Sequence, residues 1–369
     1  MKLPWAPEDL PNAAADRFGS LKPALREAGF SDDVVARRLG AADAIDLLSH
    51  SAMYAVYSAL DVESLTTDTA GALIQLFVRN GPLPRDRYEH VVSAPLARVL
   101  EALALVRIDE GQVSPTVSIS PVRSLYLLSD ALFTTGPGDV AITMATGAGL
   151  VMPPHASSFT LLDAIRTTAS ETLLDIGCGS GILALASWTS CASVIGIDVN
   201  PRAVAYSRVN AAVNAIPAAF TVADMNRNPL PAERADRLVF NSPTGPRRSP
   251  ETGWTSAQGA LRSVVRAMGT VLVPGGTADV LVIAELPQGR ALPDLVDEWL
   301  ADLRGWKEVR VREVPGSPQA VSARDLASGR LSPKCLLADG PEDRARLLHS
   351  LRVRGIESVV PAVVSITSV

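Results

Sequence analysis

The residue types best suited to chemistry lie between Leu173 and Asp198. An apolar run ends in Asp175, glycines follow at alternate positions as Gly177, Gly179 and Gly181, and a second apolar run from Val194 ends in Asp198. Read as strand, turn, helix and strand, this order lets backbone N–H groups approach a ligand closely at the glycines. It also sets a carboxylate about 20 residues further on, where it can accept from a pair of ribose hydroxyls. The chemistry implied is the holding of a nucleoside-bearing ligand.

Asp175 narrows that ligand. Dinucleotide folds space their glycines G-x-G-x-x-G so that a pyrophosphate rests on a helix N-terminus. A carboxylate at Asp175 would repel that group but suits an ammonium. The stretch Asp175-Ile176-Gly177-Cys178-Gly179-Ser180-Gly181 resembles motif I of the class I S-adenosylmethionine-dependent methyltransferases, and the acidic residue that follows their second strand falls on Asp198, in Gly196-Ile197-Asp198-Val199-Asn200-Pro201. The resemblance implies S-adenosyl-L-methionine as cofactor. Its methionine portion would lie near Asp175, Gly177, Cys178, Gly179 and Gly181, with the ribose on Asp198 beside Val199. Asp224, after a third strand, would accept from the adenine amino group, with Met225 packed on the ring.

The acceptor side is written differently. A fourth strand, Arg237–Phe240, ends in Asn241-Ser242-Pro243-Thr244, which resembles the Asn-Pro-Pro-Tyr/Phe motif of N-methyltransferases acting on glutamine, adenine or guanine. Ser242 stands where the first proline would be and Thr244 where the ring would be. A threonine supplies no π-face for a flat amide or base. Asn241, Ser242 and Thr244 are therefore expected to line a polar site for an aliphatic amine or hydroxyl, Asn241 also reaching the cofactor. A proline-containing loop before motif I shapes the pocket in related amide and base N-methyltransferases; by that resemblance His155, Ser157, Ser158 and Phe159 are pocket residues. Ser157 or Ser158 would also cap the helix that follows. None of the four histidines, His50, His90, His155 and His349, falls just beyond the fourth strand, so alignment rather than a strong base would have to carry the transfer.

These residues need a scaffold. From about residue 140 to 369 strands and helices alternate, which predicts an α/β domain, and the resemblance implies that it is a Rossmann-like, seven-stranded class I methyltransferase domain, with Leu150–Met152 among its short leading strands and Pro315–Gly340 an insertion or flap whose Arg324, Arg330 and Lys334 are expected in a solvated loop rather than against an acidic substrate. Residues 1–135 read as helices with apolar spacings of three and four, then helix Thr69–Arg79, a short helix at Arg85–Val91, a longer one at Ala94–Leu105, and a hairpin of Val106–Ile108 with Val113–Val122. That order is winged-helix-like. It resembles the N-terminal dimerisation module of small-molecule O-methyltransferases, which implies a homodimer. The third helix offers only Arg98 to a phosphate or base, so a nucleic-acid partner is not expected.

Composition sets the remaining limits. The 369 residues are 47% hydrophobic with a net charge of −5, ample for a core and mildly unfavourable to a nucleic-acid surface. Cys178, Cys191 and Cys335 have neither paired nor metal-ligand spacing and fit a reducing, cytoplasmic setting. No secretion signal is read at Met1–Asp9. The uncharged run Ile176–Ile197 holds the turn glycines and reads as a buried crossover rather than a membrane span. Two further chemistries stay open. The methionine amine could attack its own γ-carbon, giving azetidine-2-carboxylate and methylthioadenosine as in the azetidine-2-carboxylate synthases, with Tyr126, Phe133, Phe159 or Tyr206 lining the pocket. A DNA-binding regulator rests on the winged-helix shape alone.

Overall fold

A computed structural model describes residues 17–50, 54, 62–109, 111–135, 142–144, 149–165, 167–169, 171–227, 234–244, 256–314, 316–338 and 340–369. The chain begins with α1 (Leu21–Glu27), α2 (Asp32–Leu39), α3 (Ala44–Ser49), α4 (Val62–Leu65) and α5 (Thr69–Phe77). It continues through β1 (Leu83–Pro84), α6 (Arg85–Val91), α7 (Ala94–Ala102), β2 (Val106–Asp109), β3 (Gln112–Pro115), β4 (Ser118–Val122), β5 (Leu125–Ser129), β6 (Phe133–Thr135) and β7 (Ile142–Met144). Then strands and helices alternate: α8 (Ala156–Ala164), β8 (Thr172–Ile176), α9 (Ile182–Ser187), β9 (Ser193–Asp198), α10 (Pro201–Asn214), β10 (Ala219–Val222), β11 (Ala235–Asn241), α11 (Ala257–Val271), β12 (Leu272–Pro287), α12 (Leu292–Leu300), β13 (Trp306–Glu313), α13 (Ala323–Ser328), α14 (Pro341–Val353) and β14 (Ile356–Ser368). Among the described residues no helix is long and apolar enough to cross a membrane.

Contacts divide the chain into two interleaved units. One holds Met1–Phe159, Cys178–Trp188 and Asp198–Val222; the other holds Thr160–Gly177, Thr189–Ile197 and Ala223–Val369. This differs from the division at 135–140 expected from the sequence, because α9, α10 and β10 pack with the amino-terminal part.

Six strands of the second unit form one sheet in the order β9, β8, β11, β12, β14, β13. β8, β9, β11 and β12 run parallel, while β14 is antiparallel to β12 and β13. The apolar core under this sheet joins Leu174, Ile176, Leu238, Phe240 and Val280 to Leu261, Val264 and Met268 of α11. At the end where β8 and β11 begin, Arg237 donates to Asp279 at 2.6 Å and to Glu171 at 3.1 Å, and Ser365 donates to Asp279 at 2.6 Å. These bonds satisfy a carboxylate buried inside the sheet. Residues 316–338 depart from the expected solvated loop: Val321, Leu326, Cys335 and Leu337 form a core with Leu347 and Leu351 of α14. Val321 also bridges to Val359.

In the first unit β1, β3 and β2 make a three-stranded sheet beside α5, α6 and α7, while β4 and β5 form a hairpin. The expected single strand Val113–Val122 is broken between β3 and β4. Helix α10 grips β5 through side chains. Asn210 donates to the Leu128 carbonyl at 2.9 Å and accepts from its N–H at 2.7 Å; Asn214 does the same for Tyr126, at 2.8 and 3.0 Å. A carboxamide carries one donor group and one acceptor, so it can replace a strand neighbour. Residues Leu150–Met152 are not a strand as expected. Instead Val151 is held by Asp130, backbone to backbone at 3.1 Å and N–H to carboxylate at 2.8 Å.

Asp130 is fully buried and also accepts from Arg202 and from the Tyr206 hydroxyl, the latter at 2.8 Å. Burial alone would raise this carboxyl; the hydrogen bonds from Arg202, the Val151 N–H and Tyr206 more than offset it and hold it below its ordinary range. Replacing Asp130 with Ala removes the carboxylate that Arg202, Tyr206 and the Val151 N–H share and is expected to cost about 3 kcal/mol in urea denaturation. The carboxylate's contribution is complete above about pH 4, its unfolded value, and is lost as pH falls through the lower folded value. The gap between native protein and Asp130→Ala should therefore hold at neutral pH and narrow only in stronger acid.

Candidate functional site

The parallel register of β8 and β11 places Asp175 opposite Val239 and Ile176 opposite Phe240. Gly177 and Asn241, next in each chain, thus leave the sheet at the same level, at the carboxyl ends of adjacent strands. β8 has β9 on one side and β11 on the other, which makes this the point where strand order reverses, the usual ligand crevice of an open α/β sheet. Asp175 is 0% exposed. Gly177 has φ +65°, a left-handed conformation that a side chain resists, and an added Cβ would meet the Phe240 ring at 3.4 Å. The turn and the residue before Asn241 are thus in contact.

Asn241-Ser242-Pro243-Thr244 differs from expectation in what its hydroxyls do. Ser242 Oγ donates to the Leu281 carbonyl at 2.6 Å, and Thr244 Oγ1 accepts from the Ile283 N–H at 2.7 Å; both side chains are buried. Leu281 is the β12 residue paired with Asn241, the last of β11. The two hydroxyls therefore continue the pairing along β12 after β11 has stopped. They were expected to face a substrate; the geometry engages them with backbone instead. Residues 245–255 lie outside the described residues.

Also in the second unit, Asp224 sits in a tight turn. Its carboxylate accepts from the Asn226 N–H at 2.9 Å and faces Arg227 at 3.4 Å. Arg227 is largely exposed, so this ion pair holds little. Met225 is partly buried and packs on the core beneath the sheet.

In the first unit the rest of the turn is built around Asp198. One carboxylate oxygen accepts from the Gly179 N–H at 3.0 Å, the other from the Asn200 N–H at 2.9 Å. A carboxylate has about four acceptor positions, so each oxygen keeps capacity for a hydroxyl. Burial raises the Asp198 carboxyl, against the opposing pull of N–H groups from Asn200, Gly179 and Val199. Val199 is 65% exposed. Gly179 and Gly181 have φ +57° and +87°. The turn's carbonyls are held from α10, Gly179 O by Ser207 Oγ at 2.9 Å and Ser180 O by Asn210 Nδ2 at 2.8 Å. Cys178 is buried, its sulfur 3.5 Å from the same Ser207 hydroxyl. Asn200 caps α10 by accepting from Arg202 N–H at 3.0 Å and donates to Gly149 O at 2.9 Å, so the loop after Asp198 is tied to the segment leading to Val151.

Four pocket residues were expected in 155–159. His155 is half-buried with Nδ1 3.4 Å from Ser157 Oγ, and its carbonyl accepts from Ser158 N–H at 2.9 Å. α8 begins at Ala156, so Ser157 and Ser158 lie inside the helix and are buried rather than capping it. Phe159 is buried under the Arg123 guanidinium, 5.3 Å from its ring centre. Tyr126, Phe133 and Tyr206 are likewise buried in the first unit. Tyr126 donates to Phe30 O at 2.6 Å and Tyr206 to Asp130, so both hydroxyls are engaged inside the first unit. Among the described residues no group of three or more His, Cys, Asp or Glu could hold a metal. The positioning residues that sequence reading missed are Asp130, Ser207 and Asn210. Their one visible signal is polar residues at helical spacing, Arg202, Tyr206, Asn210 and Asn214, in an otherwise small and apolar helix.

The family described as ribosomal protein L11 methyltransferase (PrmA) matches residues 142–242, from β7 to just past β11. A ribosomal protein L11 methyltransferase of Thiobacillus denitrificans is 35% identical over 164 residues, 42% of this chain and 52% of the relative. Another, from Azotobacter vinelandii, is 29% identical over 211 residues, 54% of this chain and 63% of the relative. The chain spans about half the length of the first curated relatives it matches. A solved ribosomal protein L11 methylase from Lactobacillus delbrueckii subsp. bulgaricus is 16% identical with a TM-score of 0.34, covering 58% of this chain and 81% of its own.

Two outcomes follow from the geometry. Thr244→Val removes the acceptor of a buried N–H and should cost about 1–3 kcal/mol in urea denaturation; a neutral result would show that the hydroxyl is not a β12 partner. Burial, aided by the charge of His50, pushes the His155 imidazole down to about 4. Protonation thus favours the unfolded chain, and this group withdraws stability as pH falls from about 6.5, its unfolded value. NMR titration should find His155 neutral at pH 5.5; a midpoint near its ordinary value would overturn this.

Proposed function

We propose that the protein is an S-adenosylmethionine-dependent methyltransferase acting on an aliphatic amine or hydroxyl. The observation that carries the reading is the β8–β11 register, which brings Gly177 and Asn241 to one level at the strand ends with Asp175 two residues below. The methyltransferase match over residues 142–242 supports it, since that segment contains the whole glycine turn, Asp198, Asp224 and Asn241. The residues fit the cofactor on their own terms. Gly177, Gly179 and Gly181 adopt positive φ, and Asp198 is held by two N–H groups with acceptor capacity in reserve.

When bound, the sulfonium supplies an activated methyl group open to in-line attack. Asp175 and the turn backbone would hold the methionine portion, and Asp198 the ribose hydroxyls. Asp224 would take the adenine amino group, its solvated pair with Arg227 giving way readily. Met225, packed on the core, would set the height of the ring, and Val199 would cover its ribose edge. Asn241 would accept from the nucleophile's N–H or O–H and orient its lone pair. Ser242 and Thr244 keep Asn241 in place through β12, a positioning role.

The acceptor we favour is a small molecule, because the motif lacks the ring that stacks on a flat amide or base. A second reading, an amine of a ribosomal protein, is favoured by the names of the matched relatives. One experiment addresses both. The protein is titrated with S-adenosylmethionine by calorimetry, then incubated with a panel of small aliphatic amines and alcohols or with ribosomal protein L11, and the released nucleoside is identified by mass spectrometry. S-adenosylhomocysteine appearing only with an acceptor is the expected product. Methylthioadenosine released without one would replace methylation by cyclisation. Asp198→Asn should weaken cofactor binding by about tenfold or more, one charge-assisted hydrogen bond being worth roughly 1.5–3 kcal/mol; unchanged affinity would overturn the ribose assignment.

A further inference from the structure

The first unit contains a cavity of about 310 Å³ remote in sequence from the glycine turn, between α1, the start of α2 and the β4–β5 hairpin. That volume is at the small end of the range for sites that take organic ligands. Two cations of α1 face it, Lys22 and Arg26, one helical turn apart. Like charges at that spacing repel. Among the described residues neither is ion-paired: Lys22 donates to the neutral Asn214 Oδ1 at 3.3 Å, an oxygen already accepting from Tyr126 N–H. Burial, and then the nearby Arg26, lower the Lys22 ammonium below its ordinary range. An anion between the two side chains would relieve both effects.

Two other features point the same way, and one carboxylate of the lining opposes them. Ser31 precedes α2 as its cap residue and its side chain makes no capping hydrogen bond, so the start of this eight-residue helix borders the cavity, its positive end partly offset by Asp32 and Asp33 of the first turn. One carboxylate, Asp32, also lines it and takes up the Asp33 N–H at 3.1 Å, leaving two cations against one anion. The opposite wall is apolar, formed by Val122 and Leu125. We infer that this cavity is a second ligand site, for a small organic anion whose carboxylate or phosphate lies between Lys22, Arg26 and the start of α2 and whose apolar body lies on the β4–β5 hairpin. The inference does not depend on the proposed methyl transfer.

The full chain is titrated by calorimetry at low salt with phenyl phosphate, benzoate, inorganic phosphate and benzyl alcohol. Saturable binding of phenyl phosphate or benzoate below about 1 mM is expected, with inorganic phosphate weaker and benzyl alcohol silent. Whichever of the first two binds more tightly identifies the head group. Lys22→Gln with Arg26→Gln should weaken that binding by about tenfold or more, as loss of close charge partners does. Chemical-shift mapping on the unaltered protein provides a reading that does not depend on the variant's folding: amides of Lys22, Ser31 and Ser124 should move. Equal binding of benzyl alcohol, undiminished binding by the double variant, or shifts confined to Gly177–Gly181 would each overturn the site.

Discussion

Two parallel strands that stop at the same height govern the second unit. Because β8 and β11 are paired in register up to Ile176 and Phe240, the chain must leave the sheet at Gly177 and at Asn241 side by side. The first exit demands positive φ, and the Phe240 ring packed against it leaves little room for a side chain. The second exit must keep satisfying β12, which runs on past the end of β11. Arg237, Glu171, Asp279 and Ser365 fasten the opposite end of the same strands with buried, mutually satisfied charges. Breaking that cluster would act first on stability, since it would leave the buried Asp279 carboxylate without its Arg237 partner.

The first unit solves a matching problem with side chains instead of strands. The edge of β5 would leave buried N–H and C=O groups exposed to a helix that offers no backbone partners of its own. Asn210 and Asn214, one turn apart on α10, supply a donor and an acceptor each, so the helix mimics a neighbouring strand. The same face of α10 holds the carbonyls of Gly179 and Ser180, and the Gly179 N–H bonds Asp198. One helix therefore fixes the hairpin, the glycine turn and the loop that follows Asp198. Its buried polar face is stabilising only because every group on it is bonded.

What could be read from the sequence is what depends on near neighbours. The glycine spacing, the carboxylates that end β8 and β9, the Asn200 cap and the alternation of strands with helices are local signals, and the structure places each within a residue or two. What could not be read depends on partners far along the chain. Asp130 meets Tyr206 across 76 positions, Asn210 meets Leu128 across 82, and Thr244 meets Ile283 across 39. Nothing local to Ser242 or Thr244 distinguishes a hydroxyl that faces a ligand from one that faces a backbone amide. Residues 316–338 misled for a similar reason. Their apolar residues are sparse in sequence but converge on α14.

The threonine after β11 has a structural role that follows from this. Pairing ends at Asn241 opposite Leu281, yet Ile283 lies further along β12 and is opposite Pro361 in β14, so its N–H must look to the β11 side for an acceptor. A tyrosine or phenylalanine at position 244 has no oxygen within reach of that N–H, whereas threonine has one and uses it. Thr244 thus completes the sheet edge with the same side chain that carries no ring. In the proposed function, recognition of the acceptor moves from a stacking surface to Asn241, whose position is set by the strand it ends. In that proposal the acceptor would be selected by hydrogen-bond direction more than by flatness.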